Sequence, residues 1–142
     1  MSSDRWIGAL ALLVLPAPAW AAPTPTQAQD AAAIEALPAR GDPMQCMMLK
    51  NVNQSVPIGK QLILVQMGTD IWFRNRLQSP CPSMNQNRVL TYRTQPGGLI
   101  CKGDALDVVD PVSRIRFGPC ILGEFVPIDY SRAAAARDQP AP

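Results

Sequence analysis

Cysteine offers this chain its most reactive chemistry, and all of its cysteines, Cys46, Cys81, Cys101 and Cys120, lie between residues 46 and 120. An even count in a small chain bound for an oxidising compartment predicts two disulfides. A structural zinc site needs a close Cys-x-x-Cys pair, as does a thioredoxin-like redox motif, and no two of these cysteines are so spaced. Spacing leaves every pairing open. In a small closed sheet the first and last strands often become neighbours, which favours Cys46–Cys120 with Cys81–Cys101.

Histidine is absent from the sequence. Ser-His-Asp and Cys-His catalysis are therefore excluded, together with imidazole metal sites. With the thiols oxidised, any general acid or base must be a carboxylate, a lysine or a tyrosine. Asp104, Asp107 and Asp110 cluster, with Glu124 and Asp129 beyond them. A glycosidase needs two carboxyls facing each other about 5 to 9 Å apart. On a strand Asp104 and Asp107 would point to opposite faces. Asp104 follows Gly103 and Asp110 precedes Pro111, so turn contacts to backbone N–H groups account for both. The stretch also lacks the alternating ligands of a calcium loop. Met44 and Met47 make a single Met-x-x-Met spacing, short of the repeated methionines a copper(I) site would need, and Met44, Met47, Met48, Met67 and Met84 read as packing. No catalytic residue, metal or cofactor is assigned.

Arginine gives the stronger signal. Trp72, Arg74 and Arg76 alternate along one strand face, and Arg114 and Arg116 do so along another, with Arg93 on a neighbour. Arginines beside an aromatic suit an anionic glycan, a phosphate or an acidic protein surface. The competing reading is a solvated face guarding against edge pairing. A formal net charge of +2 does not call for a nucleic acid.

The elements that must position these residues begin after an export signal. Arg5 precedes the apolar run Trp6–Leu15, then Pro16, Pro18 and the small-residue pattern Ala19-Trp20-Ala21, which reads as a signal peptide over 1–21. The run is too short for a bilayer, which takes about 20 residues, so no transmembrane anchor is expected after cleavage. Residues 22–43, interrupted by Pro23, Pro25, Pro38 and Pro43, read as a flexible tether with a short helix over Asp30–Leu37. Residues 44–130 read as a disulfide-stapled β domain, and 131–142 as a disordered tail.

Within the domain, strands are expected at Met44–Lys50, Gln61–Met67, Asp70–Leu77, Asn87–Thr94, Leu99–Val109, Val112–Phe117 and Cys120–Ile128. Gly68-Thr69 suits a two-residue hairpin turn. Ile71, Phe73 and Leu77 are placed in the core, and in the sixth strand Ile115 and Phe117 point one way with Arg114 and Arg116 the other. Leu62–Val65 is apolar on both faces, so it should be central or covered by the tether. The fold expected is all-β, a small antiparallel barrel or sandwich of six to seven short strands.

Cys46, the strand pair Leu62–Gln66 and Trp72–Leu77, Arg74-Asn75-Arg76-Leu77 leading to Cys81-Pro82, Ile100-Cys101-Lys102-Gly103-Asp104, and Cys120-Ile121-Leu122-Gly123-Glu124-Phe125 together resemble a family of small exported proteobacterial proteins of unknown function. The resemblance spans about residues 44–127 and implies a secreted β domain, with no activity or site residues to carry over. The expected role is a periplasmic or secreted, non-enzymatic domain that binds an envelope protein or anionic glycan through Trp72, Arg74, Arg76, Arg114 and Arg116. An inhibitor of an exported hydrolase is the alternative, with Val52–Lys60 or Ser79–Gln86 as its loop. A carboxylate-dependent hydrolase built on Asp104 and Glu124 ranks last.

If all the cysteines are structural, the exported protein carries no thiol that an alkylating agent can reach before reduction. Mass spectrometry after alkylation of native protein checks this, and a labelled cysteine refutes it.

Overall fold

The computed structural model describes residues 26–130; the signal-peptide reading and the C-terminal tail lie outside the described residues. One helix, α1 (Thr26–Glu35), precedes nine strands: β1 (Cys46–Met48), β2 (Val52–Ile58), β3 (Leu62–Met67), β4 (Ile71–Arg76), β5 (Val89–Tyr92), β6 (Leu99–Cys101), β7 (Ala105–Val109), β8 (Arg116–Ile121) and β9 (Phe125–Ile128). They form three antiparallel sheets, ordered β2-β3-β4-β9, β5-β7-β8 and β1-β6. The all-β expectation holds, with nine strands in place of six or seven.

The differences have local causes. Val52–Lys60 is no loop: it contains β2, an edge strand whose Pro57 pairs opposite Ile63, a position that tolerates a missing N–H. The β3–β4 turn holds three residues, since Met67 pairs with Ile71. The expected strand Leu99–Val109 is cut into β6 and β7 because Asp104 Oδ2 accepts the Cys101 N–H (2.8 Å) and closes a turn. The chain turns at residues 111–113 and stays irregular through Ile115, so β8 starts only at Arg116 and runs on to Ile121.

All three sheets contribute to one core: Ile63, Val65 and Phe73 from the largest, Leu106, Val108 and Cys120 from the second, and Met47 and Ile100 from β1 and β6. Tyr92 on β5 donates to Ser55 Oγ on β2 (2.7 Å), tying the edges of two sheets together. Ile71, expected inside, is 54% exposed because it sits at the strand end beside the turn.

The disulfides are Cys46–Cys101 and Cys81–Cys120, not the pairing that strand order favoured. The first strand lies beside β6, placing Cys46 directly opposite Cys101 with Cα atoms 4.0 Å apart. The last strand pairs with β4, so Cys120 on β8 meets the loop that follows β4.

The 22–43 segment is a packed part of the fold in its described portion, not a tether. Ile34, 1% exposed, joins Ile58, Leu62, Leu64 and Ile128 in a second apolar cluster on the outer face of the large sheet. Beyond α1 the chain runs along β9, with Arg40 N–H donating to Pro127 O and Met44 exchanging both backbone hydrogen bonds with Phe125. That pairing covers an otherwise open sheet edge. The alternation of β3 thereby finds a use on both sides: Leu62 and Leu64 meet the helix, while Ile63 and Val65 meet the core.

Asn75 connects the largest sheet to the β8–β9 connection. Its side chain is fully buried, donates to Gly123 O (2.9 Å) and accepts the Gly123 N–H (2.9 Å). A Cβ at residue 123 would overlap the Arg76 carbonyl, so only glycine lets the two chains approach this closely. Removing the amide leaves two buried backbone groups unpartnered. Asn75→Ala is expected to destabilise the domain by about 3 kcal/mol, and Gly123→Ala by at least as much. Urea denaturation of the variants measures both; a loss below about 1 kcal/mol for Asn75→Ala would remove the clamp from this account.

Candidate anion-binding groove

Trp72, Arg74 and Arg76 do share the outer face of β4, but α1 packs over part of it. Trp72 stacks against Tyr130 with ring centroids 4.5 Å apart. Arg74 Nη1 donates to the carbonyls of Ile34, Glu35 and Leu37 at 3.1, 2.8 and 2.6 Å. A cation there satisfies acceptors that a helix C-terminus leaves open and opposes its partial negative charge. Arg74 is therefore first a clamp on the helix. Arg76 pairs with the Glu35 carboxylate.

Beyond the helix, the same face opens into a groove of about 700 Å³ lined by Arg74, Arg76, Gln61, Lys102, Gly123 and Glu124, among others. Lys102 reaches it through a relay of backbone contacts. Gly103 N–H donates to Leu122 O (2.9 Å) and Leu122 N–H to Asp104 O (2.9 Å), joining the β6–β7 turn to the β8–β9 connection that Asn75 holds. Lys102 Nζ then meets Glu124 Oε1 at 2.8 Å. Sequence reading weighed Glu124 only as a hydrolase carboxylate and gave Lys102 no role, since each lies in a connection between strands and only the relay brings it beside β4.

Arg114 and Arg116 are not part of this site. They belong to the β7–β8 hairpin of the three-stranded sheet, and Arg114 sits in its turn, not on a strand. Arg116 lies 3.7 Å from Asp107 Oδ2, whose carboxylate also takes Arg93 Nη2 (2.8 Å) and Nε (3.2 Å). Gly118, at φ 142°, brings its backbone close enough that a Cβ would stand 3.3 Å from Asp107 Oδ1.

The carboxylates considered for catalysis have structural partners. Asp104 holds the Cys101 N–H and the Gln95 amide (2.6 Å). Glu124 is kept below the usual carboxylate range, chiefly by its hydrogen bond from Lys102 and next by that from Gln45. Asp107 is lowered mainly by hydrogen bonding to Arg93, against the opposing effect of burial. Asp110 is lowered by the N–H groups of Ser113 and Val112. A general acid needs the opposite shift. Burial pushes the Tyr92 hydroxyl up to about 12, partly offset by Ser55. Among the described residues no three Asp, Glu or Cys side chains gather as a metal site would require. No helix among them is long and apolar enough to cross a membrane.

Neither loop considered for an inhibitor protrudes freely. Val52–Lys60 is mostly β2. Ser79–Gln86 is drawn in by the Cys81–Cys120 bridge and by Lys60 Nζ, which donates to Pro82 O (2.7 Å) and Met84 O (2.8 Å). Compared with protein-family profiles, curated proteins and solved structures, the chain gives no match in any of the three.

The lowered carboxylates fix the sign of the acid response. Through the range near pH 4 the unfolded chain binds protons that folded Asp107, Asp110 and Glu124 still refuse. Their contribution is complete above that range and is lost as pH falls through the lowered folded values. Urea midpoints followed from about pH 7 to about pH 2 should decline on the acid side, and less steeply in Asp107→Asn; an identical acid limb in that variant would contradict the assignment.

Proposed function

We propose that this chain is an exported, non-enzymatic binding domain of the periplasm or extracellular space. It holds an anionic group of an envelope glycan or protein partner between Arg76 and Lys102. The observation that carries the reading is the meeting of Arg74, Arg76 and Lys102 in one open groove. Export is supported by the two disulfides, which persist in oxidising compartments.

Both ligand-facing cations hold a carboxylate of their own chain, and this favours exchange. Arg76–Glu35 and Lys102–Glu124 are exposed pairs, with Arg76 61% and Lys102 44% accessible. Such pairs contribute roughly 0–1 kcal/mol, so a carboxylate, sulfate or phosphate presented by a ligand displaces Glu35 or Glu124 at little cost. The resident carboxylates keep the groove from attracting every passing anion. Gln61 and the walls beside Gly123 add polar and shape constraints.

The test is retention of the mature protein on isolated envelope material and on an immobilised acidic polysaccharide. Arg76→Ala/Lys102→Ala should lose at least tenfold in retention, and salt should weaken the wild type. Arg40→Ala/Lys50→Ala, which removes equal charge away from the groove lining, should retain as wild type does. Equal loss in both double variants, or none in the first, rejects the groove.

A further inference from the structure

The β7–β8 hairpin ends in a tip that the groove does not explain. We propose that this tip, Asp110–Ile115, is a docking element that inserts Val112 and Arg114 into an acidic-rimmed apolar cleft on a protein partner.

Val112 is 92% exposed and Ile115 54%. Single exposed aliphatics are ordinary on a soluble domain; the frame that holds these is not. Asp110 Oδ1 accepts the N–H groups of both Val112 and Ser113 at 2.9 Å. Arg114 N–H donates to Asp110 O (2.8 Å), and Asp110 N–H to Ile115 O (2.9 Å). Arg88 pairs with Asp110 Oδ2 at 2.8 Å and lies over the Phe117 ring, anchoring the turn to the sheet. A tip fixed in this way loses little freedom on binding.

Arg114 is the second sign. Its φ is 59°, and it is the single non-glycine residue with positive φ among the described residues. There a Cβ crowds the following carbonyl, a penalty glycine avoids. The residue is exposed and makes no ion pair among the described residues, so no ion pair within the fold offsets the strain at this position. A strained side chain with no internal use is best explained by an external one.

Charge selects the partner. Arg88 beside β5 neutralises Asp110, and Arg93 and Arg116 share Asp107, whereas Arg114 faces no carboxylate in an ion pair among the described residues, leaving the tip positive. A lipid surface would also attract cations. The tip, however, offers two aliphatic side chains and no aromatic ring, too little to insert, whereas stable membrane attachment takes two strong signals. A rigid tip with an apolar point and a cationic flank matches a concave protein site carrying carboxylates.

The experiment places a photoreactive amino acid at residue 112 of the full chain, exported in living cells, with residue 71 on the other sheet as control. The expected result is a discrete protein adduct at 112 and none at 71, mapped to a partner peptide containing Asp or Glu. Arg114→Glu should abolish the adduct and Arg114→Lys should keep it. Arg114→Gly should lower it at least tenfold while raising the thermal midpoint by roughly 2–5 °C, which separates lost docking from lost folding. Lipid adducts alone, no adduct, equal adducts at 71, or an adduct indifferent to Arg114→Glu would each overturn the proposal. An Arg114→Gly variant no more stable than wild type would overturn the strain argument on which it rests.

Discussion

The paired hydrogen bonds between the Asn75 amide and the backbone of Gly123 hold together what strand pairing alone does not. β4 and β9 pair directly, but the connection leading into β9 must also approach β4 with its own polar backbone buried. A side-chain amide presents one donor and one acceptor at the spacing of a peptide group, so Asn75 stands in for a strand neighbour. Glycine at 123 removes the side chain that would prevent the approach. From this contact the relay passes through Leu122 to Gly103 and Asp104, and so fixes where Lys102 can reach. The same few hydrogen bonds thus close the core on one side and build the groove on the other.

Around that centre the two disulfides serve different purposes. Cys46–Cys101 fastens the smallest sheet, whose two three-residue strands have little pairing of their own. Cys81–Cys120 fastens the long loop after β4 to the three-stranded sheet. Each closes a loop long enough to contribute about 4 kcal/mol by restricting the unfolded chain. A domain this size has a limited core, and α1 adds to it by roofing the outer face of β3.

Charged residues divide by burial. Asp107 is 5% exposed and takes a two-pronged hydrogen bond from Arg93, so breaking that pair strands a buried carboxylate. Arg76–Glu35 and Lys102–Glu124 are exposed, and their partners can be exchanged. Among the described residues Arg114 has no such partner, and it sits on a strained backbone. Structural, exchangeable and outward-directed cations therefore occupy separate places on a chain whose net charge is only +2.

What the sequence determines by itself is local or compositional. The cysteine count and spacing specify two disulfides, missing histidine removes whole classes of catalysis, and alternation marks β3, β4 and the faces of Phe73, Trp72 and Arg74. Turn chemistry at Gly103-Asp104 was also legible, because a short side chain bonding its neighbouring backbone needs no distant partner. Tertiary structure alone decided the rest. Disulfide pairing depends on which strands become neighbours, and β1 joins β6, not the end of the chain. The proline-bearing segment of the Val52–Lys60 stretch became a strand because it lies at an edge. The Ala- and Pro-rich leader became a roof because β3 had a bare apolar face to offer it. Arg76 and Lys102 became neighbours of one groove, while Arg114 and Arg116 did not, because long-range hydrogen bonds, not spacing along the chain, set those distances.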